Sequence, residues 1–362
     1  MKYAKPEYSK GQVNKAGDVL RAAVSLQESP SEEAARALSI MSNWRSSHAF
    51  PLNTVTVNLK KVARNVDPAA LVAQRLKRIP SIIDKLDREP SMSLARMQDI
   101  GGCRSVVNGI TETRRLVESL KASRMKHILR READYIASPK DSGYRGIHLI
   151  YRYNSDRNEI YNKLQVEVQI RSAVQHAWAT AVETMGTFLK SSLKASQGPD
   201  DWLEFFRYAS SAFAILEGTP RLHSHLEDDE VIASVERKAK ALRVRARLQN
   251  YGKALRMVEQ HLNSEAKYFL MLLEPKRKEL TINGFRGSEL VEATSLYSHL
   301  ERIFPASSGS EVVLVAAESI SSLRQAYPNY FLDTNVFLRL LDQSAFMRRN
   351  AGRLNPRQGR LF

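Results

Sequence analysis

The sequence predicts a mixed α/β protein in which helices flank a β-sheet. Residues 164–170 alternate strictly between apolar and polar side chains, which is the pattern of a strand with one buried face. Strand-like segments at 100–107 and 146–153 are separated by a helical pattern at 112–122, and a helical period returns over 171–193. Because strands here alternate with helices, we expect a mixed sheet covered by helices on at least one face.

The chain is expected to begin with helices, within residues 1–60. Apolar residues at helical spacing predict two helices between residues 11 and 48, the second starting near Ser31. Pro51 is expected to end this region, and a further helical pattern is expected over 68–88 with an interruption at Pro80.

A polar segment at 218–229 predicts a boundary between a first domain, residues 1–215, and a C-terminal region, residues 216–362. The second region starts with a strongly basic helical stretch at 236–256. Its remainder predicts a strand at 280–283, a helix at 290–303, a strand at 312–315 and a helix at 320–341 that breaks at Pro328. We therefore expect this region to be helical with a small α/β part.

Composition limits the class of protein. The 362 residues exceed one ordinary domain, and a net charge of +16 favours anionic partners such as phosphates or nucleic acid. The single cysteine, Cys103, excludes an intramolecular disulfide and a multi-cysteine zinc site, which fits a reducing compartment. The N-terminus is polar, and no apolar run approaches the roughly 18 residues of a membrane span. We expect a soluble, cytoplasmic protein without membrane contact, and no oligomeric state is predicted.

Two carboxylates form the first candidate site. Glu167 is on the polar face of the alternating strand, and Asp99 precedes a strand that starts with Gly101 and Gly102, where backbone can approach a ligand closely. Two carboxylates in one sheet suit Mg²⁺ that carries nucleotide phosphates. The alternative for Glu167 alone is an ordinary solvated strand face.

Basic residues provide the second candidate site. Arg75, Lys77, Arg78 and Lys85 lie around Pro80 and could clamp phosphates, while the guanidinium of Arg104 could stack on a base. The alternative is a solvated basic helix.

The third candidate is the stretch KDSGYRGIHLIY, residues 140–151. Gly143 permits a tight turn, Tyr144 offers a flat face to a nucleobase, and Lys140 and Arg145 supply charge. His148 then shares one face of the following strand with Ile150 and Arg152. Taken alone, this stretch is better explained as a hairpin that packs a tyrosine.

Four segments together resemble the RelA/SpoT nucleotidyltransferase, or alarmone synthetase, family. They are RLKRIPSIIDKL (75–86), MQDIGGCR (97–104), YIASPKDSGYRGIHLIY (135–151) and VEVQIRSAVQHAWATAVE (166–183), in the order and spacing of that family. The resemblance covers roughly residues 40–215. It implies a mixed-sheet synthetase core that transfers the β,γ-pyrophosphate of ATP to a ribose 3′-hydroxyl.

The resemblance also implies roles for individual residues. Asp99 would hold Mg²⁺, and Glu167 would share the metal and act as general base. The residues implied to bind ATP are Arg75, Lys77, Arg78, Lys85, Arg104 and His148, and those implied to bind the acceptor are Lys140, Gly143, Tyr144, Arg145 and Gln169. Such transfer depends on positioning and charge neutralisation, which agrees with carboxylates ringed by cations. The sequence departs from the family at Gly146, where many members have Ser, and at His176, which is often Asp; it also contains no His-Asp dipeptide, so a metal-dependent hydrolase domain is not expected.

The N-terminal segments YSKGQVNKAG and ALSIMSNWRSSHAFPLNT resemble the CapRel branch of fused toxin–antitoxin proteins. That resemblance implies the 3′ CCA end of tRNA as acceptor, a translation-inhibiting toxin in phage defence, and a C-terminal region that restrains the enzyme or senses a phage protein. The first alternative is a (p)ppGpp synthetase of the stringent response that uses GDP or GTP. The second alternative is a non-catalytic RNA-binding protein.

Two other sites are less favoured. His223, His225, Glu227 and Asp228 form a conceivable metal site, although a polar loop is the simpler interpretation. Cys103 lies mid-strand without a nearby histidine, so a packed side chain is favoured over a nucleophile.

Overall fold

The computed structural model describes residues 3–26, 31–189, 193, 196–260, 262, 265–304 and 309–350. Its strands are β1 Leu71–Leu76, β2 Gly101–Val107, β3 Ile128–Asp134, β4 Ile147–Arg152, β5 Gln165–Ser172, β6 Arg256–Gln260, β7 Tyr268–Glu274, β8 Glu279–Phe285 and β9 Glu311–Ala316. Its helices are α1 Lys10–Leu26, α2 Glu32–Ser47, α3 Ala49–Val66, α4 Ile79–Arg88, α5 Ile110–Lys121, α6 Ala173–Leu189, α7 Asp200–Glu217, α8 Asp228–Ala241, α9 Val244–Ala254, α10 Leu290–Ile303, α11 Ile320–Ala326 and α12 Asn335–Asn350.

The strands form one mixed sheet in the order β3-β4-β5-β2-β1-β9-β7-β8-β6. Strand β2 runs parallel to β5, whereas β1 is antiparallel to both β2 and β9. The predicted mixed α/β class is therefore confirmed. The predicted alternation of β5 is also confirmed, because Val166, Val168 and Ile170 are buried in the core that α3 and α5 build on one face of the sheet.

The N-terminal helices are confirmed, and Ser31 starts the second one. Its Oγ accepts a hydrogen bond from the amide of Ala34 at 3.1 Å, which caps α2. Met41 and Trp44 of α2 pack into a core with Ile82 and Leu86 of α4. The first helices thus hold α4, which carries the predicted ATP-binding residue Lys85.

The helix expected over residues 68–78 is wrong, because this segment contains strand β1. Gln74 pairs with Cys103 of β2 on one side and with Ala316 of β9 on the other, so tertiary pairing overrides the local helical pattern. Pro51 does not end the helical region, since it lies in the first turn of α3, where no helical amide donor is lost. Pro80 lies in the first turn of α4 for the same reason.

The predicted elements of the C-terminal region are confirmed as β8, α10, β9, α11 and α12. The boundary predicted after residue 215 stays a prediction, although α7 ends there on Gly218 in a left-handed conformation. The sheet continues across this boundary, because β9 pairs with β1 through Gln74 and Arg75. Residues of the C-terminal region are therefore brought directly beside predicted ATP-binding residues.

Within the described ranges, no helix is both long enough and apolar enough to cross a membrane.

Candidate active site

The face of the sheet opposite α3 and α5 carries the predicted catalytic carboxylate. Glu167 on β5 pairs in register with Gly102 of β2 and Ile150 of β4, and His148 pairs with Gln169. A Cβ added at Gly102 would meet no atom within 4 Å, so glycine leaves open space beside Glu167. The sheet thus presents a carboxylate next to a gap that a ligand could fill.

Glu167 is held by two neighbours on the same face. Its Oε1 lies 2.9 Å from Nδ1 of His148, and its Oε2 accepts a hydrogen bond from Gln169 at 2.7 Å. Burial alone would raise the pKa of the Glu167 carboxyl, but the His148 contact outweighs it and lowers the pKa, with the charge of Asp99 acting in the opposite direction. Glu167 is therefore ionised at neutral pH and able to accept a proton.

Asp99 contacts the two lysines that were predicted to bind ATP. Its carboxylate lies 2.9 Å from Nζ of Lys77 and 3.1 Å from Nζ of Lys85. Burial favours the neutral acid, but Lys77 and Lys85 outweigh burial and lower the pKa of Asp99 to about 2. The arrangement joins an ionised carboxylate to two cations at the end of β2.

The donor chemistry of Asp99 and Glu167 fits a hard cation. Both are ionised, and they are close enough for the charge of Asp99 to raise the pKa of Glu167. Across the described ranges, no three His, Cys, Asp or Glu side chains cluster as a metal site, which also applies to the alternative around His223. Mg²⁺ commonly uses one or two carboxylates and completes its shell with water and substrate phosphates, so these two residues could serve as its protein ligands.

The predicted ATP-binding arginines contact the C-terminal region. The guanidinium of Arg104 lies 5.3 Å from the ring centre of Tyr327 and donates to the carbonyl oxygen of Ala326. Arg75 reaches the Tyr330 hydroxyl at 3.5 Å, and Arg78 lies 3.5 Å from the Glu311 carboxylate. Burial and the neighbouring charge of Arg171 lower the pKa of Arg104 to about 10.

The contacting segment is short and tightly packed. Helix α11 ends at Ala326, and Pro328 prevents its continuation, so Tyr327 and Tyr330 turn towards the sheet. Their exposed fractions are 4% and 1%, and the Tyr327 hydroxyl donates to the carbonyl oxygen of Gln74 at 3.1 Å. This segment, residues 326–330, is called the tyrosine segment below.

The last turn of α11, just before the tyrosine segment, also contacts His176, one of the two departures from the family. Nε2 of His176 lies 3.3 Å from the carbonyl oxygen of Gln325. Burial, together with the charges of Arg104 and Arg171, lowers the pKa of His176 well below its usual value, so the imidazole is neutral. A carboxylate here would instead pair with these arginines.

The predicted acceptor loop is ordered by its glycines. Gly143 has a φ of +89°, its carbonyl accepts from Ser210 at 2.6 Å, and a Cβ there would lie 3.0 Å from Trp178. Gly146 has a φ of +149°, and a Cβ there would lie 3.2 Å from the Tyr144 hydroxyl. The second departure from the family, glycine at 146, thus makes room for the position that Tyr144 takes.

Tyr144 is turned inward. Only 7% of it is exposed, and its hydroxyl lies 2.5 Å from Nε2 of His148 and accepts from Arg171 at 3.1 Å. Burial raises the pKa of this phenol. In this conformation Tyr144 holds His148 and Arg171, while the solvent-exposed Lys140 lies 4.3 Å above the ring of Tyr135.

Arg145 takes a position that the sequence did not predict. It is 4% exposed, lies 2.9 Å from the equally buried Glu217 and donates to Thr219, so its guanidinium is engaged by α7 and the turn after it. Gln169 contacts Glu167 and Arg171 instead of an open cavity. In this conformation neither side chain is free for an acceptor, and their assignment to it stays a prediction.

Three contributors were missed at the sequence level: Arg171, Tyr135 and Glu217. Arg171 lies two residues after Gln169 and four after Glu167 on β5, so its side chain is on the same face of the strand. The alternation that identified Glu167 could therefore also have identified Arg171. Glu217 lies 72 residues from its partner, and no local pattern indicates such a pair. The expectation for Cys103 is confirmed: it is buried on the covered face, and burial raises the pKa of its thiol to about 12.

Comparison with known proteins shows what the central part of the chain is similar to. Residues 74–187 match the family model described as the region found in RelA / SpoT proteins. Over this region the chain is similar to the RelA/SpoT family. It is 32% identical over 115 residues to GTP pyrophosphokinase YjbM of Bacillus subtilis (strain 168), covering 31% of this chain and 54% of that protein. It is 24% identical over 155 residues to GTP pyrophosphokinase YwaC of the same strain, covering 39% and 73%.

The chain thus spans about half the length of YjbM, and α7 to α12 lie beyond the family match. Among solved structures, small alarmone synthetase 1 from Bacillus subtilis bound to its product pppGpp is 24% identical, with a TM-score of 0.40 over 47% of this chain and 89% of that one. A GTP pyrophosphokinase family protein from Streptococcus pneumoniae is 23% identical, with a TM-score of 0.40 over 53% and 93%.

Proposed function

We propose that this protein is an ATP-dependent pyrophosphokinase that modifies a ribose 3′-hydroxyl. We further propose that its C-terminal region restrains this activity. The observation that carries the proposal is the ionised Glu167 beside an open gap, together with the cluster of Asp99 before β2, Lys77 after β1 and Lys85 on α4. These are the groups needed to accept a hydroxyl proton and to neutralise phosphate charge.

In the proposed reaction, Glu167 accepts the proton of the 3′-hydroxyl. The resulting oxygen attacks the β-phosphorus of ATP, the bond from that phosphorus to the α,β-bridging oxygen breaks, and AMP leaves. Lys77, Lys85 and Arg104 would hold the nucleotide, and His148 would keep the Glu167 carboxylate oriented through the 2.9 Å contact. Asp99 and Glu167 would hold Mg²⁺, which supplies charge neutralisation at the phosphates when bound.

The tyrosine segment supports a built-in restraint. It contacts both Arg75 and Arg104, two residues assigned to ATP, and Glu311 pairs with a third, Arg78. An ATP molecule that used these three side chains would have to displace the tyrosine segment. We therefore propose that the enzyme is held inactive until β9 and α11 move away from β1, and a phage protein acting on the C-terminal region remains the proposed trigger.

The proposed acceptor is the 3′ CCA end of tRNA. Seven basic residues of the stretch 236–256 are exposed on α8, α9 and the start of β6: Arg237, Lys240, Arg243, Arg245, Arg247, Lys253 and Arg256. Such a surface favours a phosphate backbone, although Arg245 also pairs with Asp342. The second candidate acceptor is GDP or GTP, which the names of YjbM and YwaC favour.

The experiment supplies γ-labelled ATP together with GDP, GTP or bulk tRNA and follows which acceptor gains label. Labelled tRNA supports the toxin, and labelled guanosine nucleotides support an alarmone synthetase. Glu167→Gln should abolish transfer, whereas the matched control Glu132→Gln, on the opposite face of β3, should not. If neither the wild type nor a Tyr327→Leu variant labels any acceptor, the proposed enzymatic activity is refuted.

A further inference from the structure

A cleft lies on the face of the sheet opposite the candidate active site. Helix α3 covers β1 and β2 on this face, and α10 covers β7 and β9. Gln74 lines the cleft between these helices, on the same face of β1 as Val72 and Leu76, which pack against α3. The cleft has a volume of about 730 Å³, which is within the range of sites that hold small organic molecules. The proposed reaction takes place on the other face.

The cleft lies between the predicted first domain and the C-terminal region. One wall is formed by α2, α3 and β1, the other by α10 and β9, and the N-terminal segment contributes Tyr3 and Lys5. At the base of the cleft, β1 and β9 pair through Gln74 and Arg75. Ligand sites occur preferentially at such interfaces between domains. A molecule in the cleft would therefore contact both regions at once.

A buried guanidinium in the cleft lacks a hydrogen-bond acceptor. Arg45 of α2 lines the cleft and is only 5% exposed. Its guanidinium lies 4.6 Å from the ring centre of Tyr297, and its Nη1 is 3.6 Å from the Glu301 carboxylate, which is longer than a hydrogen bond. The buried Nε of Arg45 makes no hydrogen bond to any described residue. Since a buried donor without an acceptor is costly, an acceptor atom of a ligand would be stabilised here.

The other lining residues indicate the chemistry of the ligand. The lining is mostly apolar and includes three tyrosines: Tyr3, Tyr268 and Tyr297. Such walls favour a flat aromatic ring. Among the described residues that line the cleft, Arg45 is the one buried cation, and its charge is shared with Glu301. A single acidic group is therefore favoured over a polyphosphate, whose several charges would need several cations.

We propose that this cleft binds a small aromatic molecule with one acidic group, which accepts a hydrogen bond from Nε of Arg45. Both walls contact such a ligand only while β9 lies beside β1, so its binding stabilises the closed arrangement. The regulatory part of this inference rests on the proposed function, since it takes the closed arrangement to be inactive. The ligand thus strengthens the restraint from the side opposite to the active site.

The test uses the full chain and two fluorescent probes that differ by one group. Anilinonaphthalene sulfonate is an aromatic acid, and phenylnaphthylamine has the same rings without the sulfonate. Asn53→Trp and Ser295→Trp place a large side chain on each wall of the cleft. Val57→Trp and His299→Trp, about one turn further along the same helices at exposed positions outside the lining, are the matched controls.

Fluorescence titrations give the affinity for each probe. The wild type should bind the sulfonate probe roughly 10-fold more tightly than the uncharged one, because only the sulfonate accepts from Arg45. Each substitution in the cleft should weaken sulfonate binding roughly 10-fold, and each control less than about 2-fold. Arg45→Met, combined with Glu301→Gln so that no buried charge is left unpaired, should remove the preference for the sulfonate. Equal affinities in the cleft variants and their controls, or equal affinities for the two probes in the wild type, would overturn the binding site.

The effect on the restraint is measured separately, in the Tyr327→Leu variant. A saturating concentration of the sulfonate probe should weaken the binding of a non-hydrolysable ATP analogue to this variant roughly 10-fold, because the probe favours the closed arrangement. Asn53→Trp combined with Tyr327→Leu should show no such loss. An absent loss, or one that persists in the double variant, would overturn the regulatory part. Probe binding that depends on Arg45 and Asn53 without any transfer from ATP would contradict only the proposed function.

Discussion

The contact of Tyr327 with Arg104 offers a direct way to release the proposed restraint by a single substitution. Leucine at position 327 retains apolar volume in the core around β7 and β9 but removes the aromatic face and the hydroxyl. A desolvated cation–π contact contributes about 2 kcal/mol, and the hydrogen bond to the Gln74 carbonyl contributes about 1 kcal/mol. These contacts exist only while the segment lies on the sheet, so the closed state loses about 3 kcal/mol relative to the open state.

A loss of about 3 kcal/mol increases the open population roughly 100-fold from a small starting value. Tyr327→Leu should therefore bind a non-hydrolysable ATP analogue far more tightly than the wild type, measured by calorimetry on the full chain. Phe331→Leu is the matched control, because Phe331 lies in the same core and contacts Arg324 instead of Arg104. Equal affinity in Tyr327→Leu and Phe331→Leu would refute the reasoning.

Three further outcomes are expected. Tyr144→Ala should raise the KM for the acceptor more than about 10-fold with little change in the KM for ATP. Tyr144→Phe keeps the ring but loses the hydroxyl contacts with His148 and Arg171, so it should raise the KM for the acceptor less than Tyr144→Ala does. Steady-state kinetics measure both constants, and equal losses for ATP would show that the ring is misassigned. Glu217→Leu should lower the free energy of unfolding by about 3–5 kcal/mol because it leaves Arg145 buried and unpaired. Denaturant titrations should show that an additional Arg145→Met substitution restores much of the lost stability. Strictly additive losses in the two substitutions would contradict this coupling. Burial lowers the pKa of His48 from 6.5 to about 4, so its contribution of about 3 kcal/mol to the free energy of unfolding is present above pH 6.5 and lost as the pH falls towards 4. His48→Gln should flatten this part of the curve of stability against pH. An unchanged curve would show that His48 does not cause the loss.

The strand that carries the candidate catalytic carboxylate was predictable because its signal is local. The alternation of β5 follows from one buried face, and the same period of two assigns Glu167 to the other face. The cations Lys77 and Lys85 were likewise predicted for the same site as Asp99, and both contact it. Both predictions needed only the two-residue repeat of a strand and contacts between residues that are close in the sequence.

Other features depend on partners that are distant in the sequence. Strand β1 was expected to be helical, and only its pairing with β2 and β9 makes it a strand. Pro328 was predicted to break a helix, but no local pattern indicates that Tyr327 lies on β1, since the residue whose carbonyl it contacts is 253 positions away. The positions of Arg145 and of the tyrosine segment are set by tertiary packing. No repeating pattern of apolar and polar residues in the sequence indicates them.

The most direct test of the central claim is the fate of α-labelled ATP in the presence of tRNA and GTP. Tyr327→Leu should release labelled AMP in equal amount to the acceptor modified, and Tyr327→Leu combined with Glu167→Gln should release none. Formation of labelled ADP, or AMP release that persists without the Glu167 carboxylate, would contradict a pyrophosphate transfer that Glu167 performs and the tyrosine segment restrains.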